Sequence, residues 1–379
     1  MIDDSKPLLT GLKRQLRSLE SDLRQRAESE AKFAFRLRKE WERARSADRT
    51  TSTYDAWCDD WVSQVAVAWL LATVFIRFCE DNDLIELPVI AGPRERLAIA
   101  LERQREFFVI YPEKTDRDWI IEGVKALSVS RVAAELFAEA HNPMWTILPS
   151  NDAAKDILTF WRQRAENGNL VYDFSNSQYA NDYSATGFLG DVYTQFLGDM
   201  YQGLSEHARD NYSLIQTPNF IVEFILDRTL NPAMDEFGLA PEPPLAHSGL
   251  AHGFRFIDPA CGSGHFLLSA FRRLLKAWEN QSGGTDGWIL IRRALESVHG
   301  VDKNSFAVSI ARFRLMLAAM RAARVKRLAE VPDLVLNVAV GDSLRHGYAA
   351  SGTQETLYDL SEPPHTYLTE DVDVYIKSV

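Results

Sequence analysis

Phe256-Ile257-Asp258-Pro259-Ala260-Cys261-Gly262-Ser263-Gly264-His265-Phe266-Leu267 is the stretch that decides the fold. A short buried strand, Phe254 to Asp258, ends on an acid, and two glycines spaced two apart form the turn behind it. Gly262 and Gly264 carry no Cβ, so backbone can approach a ligand closely, and the helix that follows offers its free N-terminal N–H groups. The third glycine of a dinucleotide fingerprint is replaced by Leu267, which argues for a ligand smaller than a pyrophosphate at that point.

Outward from this turn the pattern alternates. A helix over Phe220 to Leu230 leads into a loop rich in Pro and Gly, from Pro232 to Gly253, and then into the strand. Helix Phe266 to Trp278, a loop Gln281 to Gly287, helix Trp288 to Glu296, strand Val298 to Val301, helix Ser305 to Leu328 and strand Leu334 to Val340 follow. Such β-α-β succession predicts right-handed crossovers and a mostly parallel sheet with helices on both faces. Residues 206–379 therefore read as an incomplete Rossmann-like domain, and residues 51–205 as an α-helical domain broken at Leu87-Pro88, Gly92-Pro93, Tyr111-Pro112 and His141-Asn142-Pro143. Residues 1–50 read as an amphipathic helical arm, with Leu9, Leu12, Leu16, Leu19 and Leu23 at helical spacing among Lys13, Arg14, Arg17, Arg24 and Arg26. The fold class expected is α plus α/β.

Bulk properties exclude several classes. With 379 residues, 46% hydrophobic and 25% charged, the chain has an ordinary soluble composition. Cys58, Cys79 and Cys261 lie far apart, without the spacing of a metal site or a disulfide framework, and no metal is expected. The N-terminus lacks a basic segment followed by an apolar one, so a secretory signal is not indicated and a cytoplasmic location is expected. Trp61 to Phe78 is strongly apolar, but Ser63, Gln64 and Thr73 interrupt it and Arg77 closes it, short of the roughly 20 residues a span needs. It reads as a buried core helix, with no membrane partner. A net charge of −11 is unusual for a protein that merely coats nucleic acid, although a local basic groove is compatible with it.

The string Asp258-Pro259-Ala260-Cys261-Gly262-Ser263-Gly264-His265-Phe266 resembles the first motif, D-P-A-C-G-S-G-x-F, of the adenine-specific DNA methyltransferases. The resemblance implies S-adenosylmethionine as cofactor. Asp258 and the turn backbone at Ala260, Cys261 and Gly262 would hold its methionine part, with Pro259, Gly264 and Phe266 completing the motif, and Cys261 packing rather than attacking. Two further acids stand at strand ends. In Val298-His299-Gly300-Val301-Asp302 the terminal acid can accept both ribose hydroxyls, as acids after the second strand of nucleotide-binding folds do. In Val338-Ala339-Val340-Gly341-Asp342-Ser343 the resemblance assigns Asp342 to the exocyclic amine of the cofactor's adenine, beside Ser343. Thr217-Pro218-Asn219-Phe220 resembles the segment that closes over the methionine carboxylate, while Thr217 as N-cap and Pro218 as first helical residue also make a plain helix start. The motif order is that of the non-permuted enzymes of type I modification subunits and single-chain restriction-modification proteins. The whole chain looks most like the phage-growth-limitation (Pgl) methyltransferases, which implies adenine-N6 methylation of double-stranded DNA in phage defence, with other defence proteins as further partners.

That chemistry requires a flipped base, hydrogen-bonded at its amine and stacked on an aromatic ring, which the family achieves with an Asn/Asp-Pro-Pro-Tyr/Phe tetrapeptide. None occurs here. The nearest imitation, Glu362-Pro363-Pro364-His365, begins with a longer acid and lacks the aromatic, so it is a weak catalytic candidate. Asn142-Pro143-Met144-Trp145 has no strand before it. The expectation is a chain that stops short of the catalytic loop and is inactive alone, or else a non-catalytic cofactor- or DNA-binding scaffold of a defence complex. Arg312, Arg314, Arg321, Arg324, Lys326 and Arg327 crowd one predicted helix and are expected to form its solvated outer face.

Overall fold

A computed structural model describes residues 5–46, 50–139, 142–174, 217–239, 254–282 and 284–343. The chain divides into two compact units, Met1–Phe196 with Lys326–Val331, and Leu197–Val325 with Pro332–Val379. Glu362 to His365 lie outside the described residues.

The described part of the first unit is helical: α1 (Ser5–Ser29), α2 (Ala31–Ser46), α3 (Tyr54–Asp81), α4 (Arg96–Ile110), α5 (Asp116–Leu127), α6 (Arg131–Glu135) and α7 (Asn151–Trp161). The leucine stripe of α1 is buried, but it starts at Leu8 and runs through Leu12, Leu16, Leu19 and Leu23 to Ala27, while Leu9 sits beside it, half-buried. That stripe packs on α3. Burying it is what fixes α1 within the unit, since propensity alone holds an isolated helix only weakly. Helix α3 is long and apolar enough to cross a membrane by length and composition, yet 89% of its most apolar window is buried inside the protein. It is the core helix. Trp69 on α3 donates its indole N–H to the carbonyls of Met144 at 2.7 Å and Ile147 at 3.1 Å, and Trp161 on α7 donates to Thr73 Oγ1 at 2.9 Å.

At the end of α3, Arg77 is fully buried between Glu80 at 2.7 Å and Asp81 at 2.7 Å. Glu80 accepts from the successive N–H groups of Val89, Ile90 and Ala91, and Asp81 from that of Phe174. Burial of these charges is tolerated because each is paired and hydrogen-bonded. Asn142 holds a local turn together. Its side chain accepts from Met144 N at 3.0 Å, donates to Leu136 O at 2.8 Å, and so caps the 3₁₀ turn Pro143–Trp145.

The second unit contains α8 (Asn219–Arg228), α9 (Leu230–Phe237), β1 (Phe256–Asp258), α10 (His265–Gln281), α11 (Gly287–Glu296), β2 (Val298–Asp302), α12 (Ser305–Ala322) and β3 (Asn337–Val340). The three strands lie in the order β1-β2-β3, all parallel, with Asp258 opposite Gly300 and Asp302 opposite Val340. Consecutive residues of the middle strand point to opposite faces, and Val298, His299 and Val301 are all buried. Helix α10 packs on β1 and β2, α11 on β2, and α12 on β2 and β3.

The first strand begins at Phe256 and not at Phe254, and three further boundaries differ from the sequence reading for local reasons. Pro232 does not open a loop: it is the third residue of α9, in the first turn, where a missing N–H costs nothing, and the break comes at Gly238, φ 69°. Helix α12 stops at Ala322 and not at Leu328, because Arg324 turns left-handed at φ 58°, with Val325 N bonded to Met320 O and Arg324 N to Arg321 O, a Schellman ending built without glycine. Strand β3 begins at Asn337, opposite His299, so Leu334 and Leu336 are buried outside the ladder.

Candidate cofactor site

Parallel strands bring their carboxyl ends to one edge of the sheet, and here Asp258 and Asp302 end β1 and β2 while Asp342 follows β3 by two residues. The turn after β1 is built from backbone bonds to these strand ends. Asp258 Oδ1 accepts from Ala260 N at 3.1 Å, which starts the turn, and Cys261 N donates to Val301 O at 2.9 Å. Gly262 N donates to Asp302 Oδ2 at 2.7 Å, and Asn304 N to Asp302 Oδ1 at 2.8 Å. One carboxylate thus staples the turn after β1 to the turn after β2. Ser343 Oγ adds a third tie, donating to Pro259 O at 2.9 Å. Pro259 and Ala260 remain exposed, and Gly262, Asp258, Asp302 and Asp342 are partly so.

The glycines are placed where side chains would not fit. Gly262 has φ 51° and Gly264 φ 86°, and a Cβ on Gly264 would stand 3.0 Å from Ala311 Cβ and 3.3 Å from Ala311 Cα of α12. Gly300, in the middle of β2, passes under the turn: a Cβ there would meet Leu267 Cδ1 at 2.6 Å and Cys261 Sγ at 3.1 Å. From Gly264 the chain enters α10, with Phe266 half-buried in its first turn.

Behind the turn lies a buried guanidinium that sequence reasoning places in solvent. Arg314 is 2% exposed and donates from Nη1 to Ser263 O at 2.7 Å and Ser263 Oγ at 3.2 Å. Arg312, 8% exposed, donates from Nε to Val338 O at 2.7 Å. The expected solvated face of α12 is therefore corrected at both positions. Apolar residues surround the whole helix, with Phe306, Ile310 and Phe313 buried on one side and Val308, Ala311 and Leu315 on the other, so there is no polar face for these arginines to occupy. Asn304, also unanticipated, caps α12 by accepting from Phe306 N at 3.1 Å.

Burial raises the carboxyl of Asp258 above its ordinary value, against its bond from Ala260, and the nearby Asp302 raises it further. Burial likewise raises Asp302, against its bonds from Asn304 and Gly262. Two neighbouring acids whose charge burial disfavours make a site complementary to a cation. Burial, reinforced by both acids, pushes the Cys261 thiol well up, so at neutral pH it is an apolar packing group and not a nucleophile. His265 is pushed down to about 2 by burial and by Arg314 and Arg272, which leaves the imidazole neutral.

Thr217 and Pro218 stand at the start of α8, one residue out of the expected frame. Pro218 has ψ 143° and occupies the cap position, without a side-chain capping bond, and Asn219 is the first helical residue. Helix α8 is fastened to α10 by Ser269 Oγ donating to Glu223 Oε1 and by Arg273 donating to Asp227 Oδ1 at 2.6 Å, and Arg273 also donates to Asn231 Oδ1 of α9 at 2.9 Å. The segment is thus carried on the helix that follows the glycine turn.

Comparison with known proteins matches these features to one group. Residues 248–351, which hold the turn and all three acids, match the family model of the MmeI DNA-methyltransferase domain. Over 97% of its length the chain is 43% identical to the adenine-specific methyltransferase PglX of Streptomyces coelicolor, covering 30% of that protein. It is 33% identical over 24% of its length to a Methanocaldococcus jannaschii protein whose name reads type II restriction enzyme and methyltransferase, covering 8% of it. Among solved structures it is similar to a chain of the DrdV–DNA complex, with TM-score 0.48 and 13% identity over 91% of this chain and 26% of that one. The chain spans under a third of the first relative's length, and over that span it is similar to a Pgl-type adenine-specific methyltransferase.

Proposed function

We propose that this chain provides the S-adenosylmethionine-binding part of a DNA adenine-N6 methyltransferase serving phage defence or restriction-modification in the cytoplasm. The observation that carries the reading is the Asp302 carboxylate at the end of β2, bonded at 2.7 Å to the N–H of Gly262 in the glycine turn. It brings the methionine-binding turn and the ribose-binding acid of the resemblance to one edge of a parallel sheet, where open α/β folds bind ligands.

The residues present fit the cofactor. Asp302 uses one lone pair on each oxygen for Gly262 and Asn304, and each oxygen has a second for a ribose hydroxyl. Asp258, beside the exposed backbone of Pro259 and Ala260, would accept from the methionine ammonium, and the paired acids favour a ligand bearing ammonium and sulfonium charge. Asp342 would take the adenine amine, with Ser343 holding the turn. Thr217, Pro218 and the start of α8 would border the methionine end. When bound, S-adenosylmethionine supplies an electrophilic methyl group. What these residues contribute is position: a turn held by Arg314 from behind and by Asp302 and Ser343 from the sides lets the ligand bind without reorganising backbone. The Rossmann-like description of the second unit, the acceptor base and the double-stranded DNA substrate belong to the same proposal.

The test is titration calorimetry of the chain with S-adenosylhomocysteine, adenosine and NAD. Binding of S-adenosylhomocysteine tighter than adenosine, with NAD weakest, is expected. NAD binding as tight as S-adenosylhomocysteine would overturn the assignment.

A further inference from the structure

Helix α2 stands out electrostatically from the rest of the molecule. In a chain of net charge −11, its sixteen residues carry Lys32, Arg36, Arg38, Lys39, Arg43 and Arg45 against only Glu40 and Glu42. Four of these, Lys32, Arg36, Lys39 and Arg43, follow each other at steps of four, three and four, so they form one ridge, about 16 Å long at a rise of about 1.5 Å per residue. All four are exposed. The opposite side is anchored by buried Phe33 and Leu37, which fixes the ridge outward. A second row is held rigid by aromatics: Arg38 lies 3.8 Å from the Tyr54 ring centroid, and Arg45 lies 5.1 Å from that of Trp41, whose indole N–H is bonded to Ser52 O.

Little in the unit consumes this charge. Lys32 pairs with Glu30 at 3.1 Å and Arg43 with Glu40 at 3.3 Å, both solvent-exposed pairs of small net value. Arg36 donates to a neutral carbonyl, Trp145 O, at 2.6 Å. Lys39 has no ion-pair partner among the described residues. A concave surface beside the ridge is lined by Lys32, Phe35, Arg36, Lys39, Glu40 and Arg43.

We propose that the α2 ridge docks the backbone phosphates of duplex DNA, giving the N-terminal helical unit a sequence-independent hold on the substrate. Charge complementarity selects a polyanion, and the shape of the ridge selects a linear one. Duplex DNA presents a phosphate about every 3.4 Å along each strand, so a row of cations this long spans several. An anionic membrane is the less suitable partner, because Phe35, 72% exposed, is the only large exposed apolar side chain of α2, too little apolar area for interfacial insertion. The choice of DNA rests on the methyltransferase reading, whereas the existence of a polyanion site does not.

The experiment measures binding of the whole chain to a labelled, mixed-sequence duplex by fluorescence anisotropy from about 0.05 to 0.3 M salt. It compares Lys32→Gln/Lys39→Gln with Arg105→Gln/Lys155→Gln, which removes two exposed cations elsewhere on the same unit. Every phosphate left without its cation should flatten the log–log salt slope by about 0.9, so the first variant should lose about 2 from the slope and about tenfold or more in affinity at about 0.1 M salt, on every sequence. The control pair should bind nearly as the parent does. Equal binding by parent and ridge variant, equal losses in both variants, or ridge-dependent binding to phosphatidylserine vesicles without DNA binding would each overturn the proposal. Thermal melts that coincide for all three proteins show that folding is not what changed. S-adenosylhomocysteine titration of the same samples separates the two hypotheses: cofactor binding with ridge-independent DNA affinity sinks only the ridge, and ridge-dependent DNA binding without cofactor binding sinks only the cofactor site.

Discussion

Replacing Asp302 with alanine tests the site at the residue on which it converges. The substitution removes the charged acceptor of two backbone N–H groups, those of Gly262 and Asn304. Charge-assisted hydrogen bonds contribute about 1.5–3 kcal/mol each, but burial already disfavours the ionised form of Asp302, so the loss of stability should fall short of the sum, at about 1–3 kcal/mol. Ligand affinity carries a separate cost. If the remaining lone pairs accept the ribose hydroxyls, their removal costs a further 1.5–3 kcal/mol or so, which is about a 10- to 150-fold weaker Kd. The assay is S-adenosylhomocysteine calorimetry well below each protein's Tm, with the melt recorded on the same sample. Ser343→Ala serves as the control: it also loosens the turn, by its bond to Pro259 O, but removes no ribose acceptor, and should weaken binding less than Asp302→Ala. Undiminished affinity in Asp302→Ala, or an equal loss in Ser343→Ala, would refute the ribose role.

Gly264→Ala forces an L-residue to φ 86° and sets its Cβ against the backbone of α12, so the second unit should lose about 2 kcal/mol or more in urea denaturation. Arg77→Met removes the guanidinium from both buried acids, leaving Glu80 to its three backbone N–H donors and driving Asp81, already raised to about 7 by burial, to its neutral form; the first unit should lose about 3 kcal/mol by the same measurement. Arg324→Gly relieves a left-handed arginine at the end of α12 and should raise Tm slightly, by a gain of about 1 kcal/mol at most. The pH response of Asp258 and Asp302 has two signs. Because both folded-state values are raised, their contribution to folding is fullest below about 3.9 and is lost as pH rises through the raised values. Ligand affinity runs the other way, since only the ionised carboxylates accept fully: calorimetry should show S-adenosylhomocysteine binding weaken as pH falls from neutral through the raised carboxyl values, and a pH-independent Kd would contradict the role of both acids.

What a sequence can convey depends on where each signal resides. The glycine turn is legible because its requirements are local: positive φ at Gly262 and Gly264, a strand before and a helix after, all within one short stretch. The parallel order of the strands is legible because apolar runs and helical periods alternate, and right-handed crossovers leave few arrangements. The burial of Arg312 and Arg314 escapes any reading that gives charge more weight than periodicity. An apolar residue occurs on every side of α12, so the helix has no outer face at these positions, and both arginines bond inward. Gly300 carries a signal that the sequence reading leaves unused, since a glycine inside a strand marks a close approach, here by Leu267 and Cys261. The structural role of Asp302 carries none. Its partners are the N–H groups of Gly262 and Asn304, which every non-proline residue possesses, so a carboxylate that staples two turns and a carboxylate that waits for a ribose look identical in sequence. Under the proposed ribose assignment the two roles would be physically one: the bonds that hold the turn orient the carboxylate's remaining lone pairs, and a residue that did both would tolerate replacement less than either role alone requires.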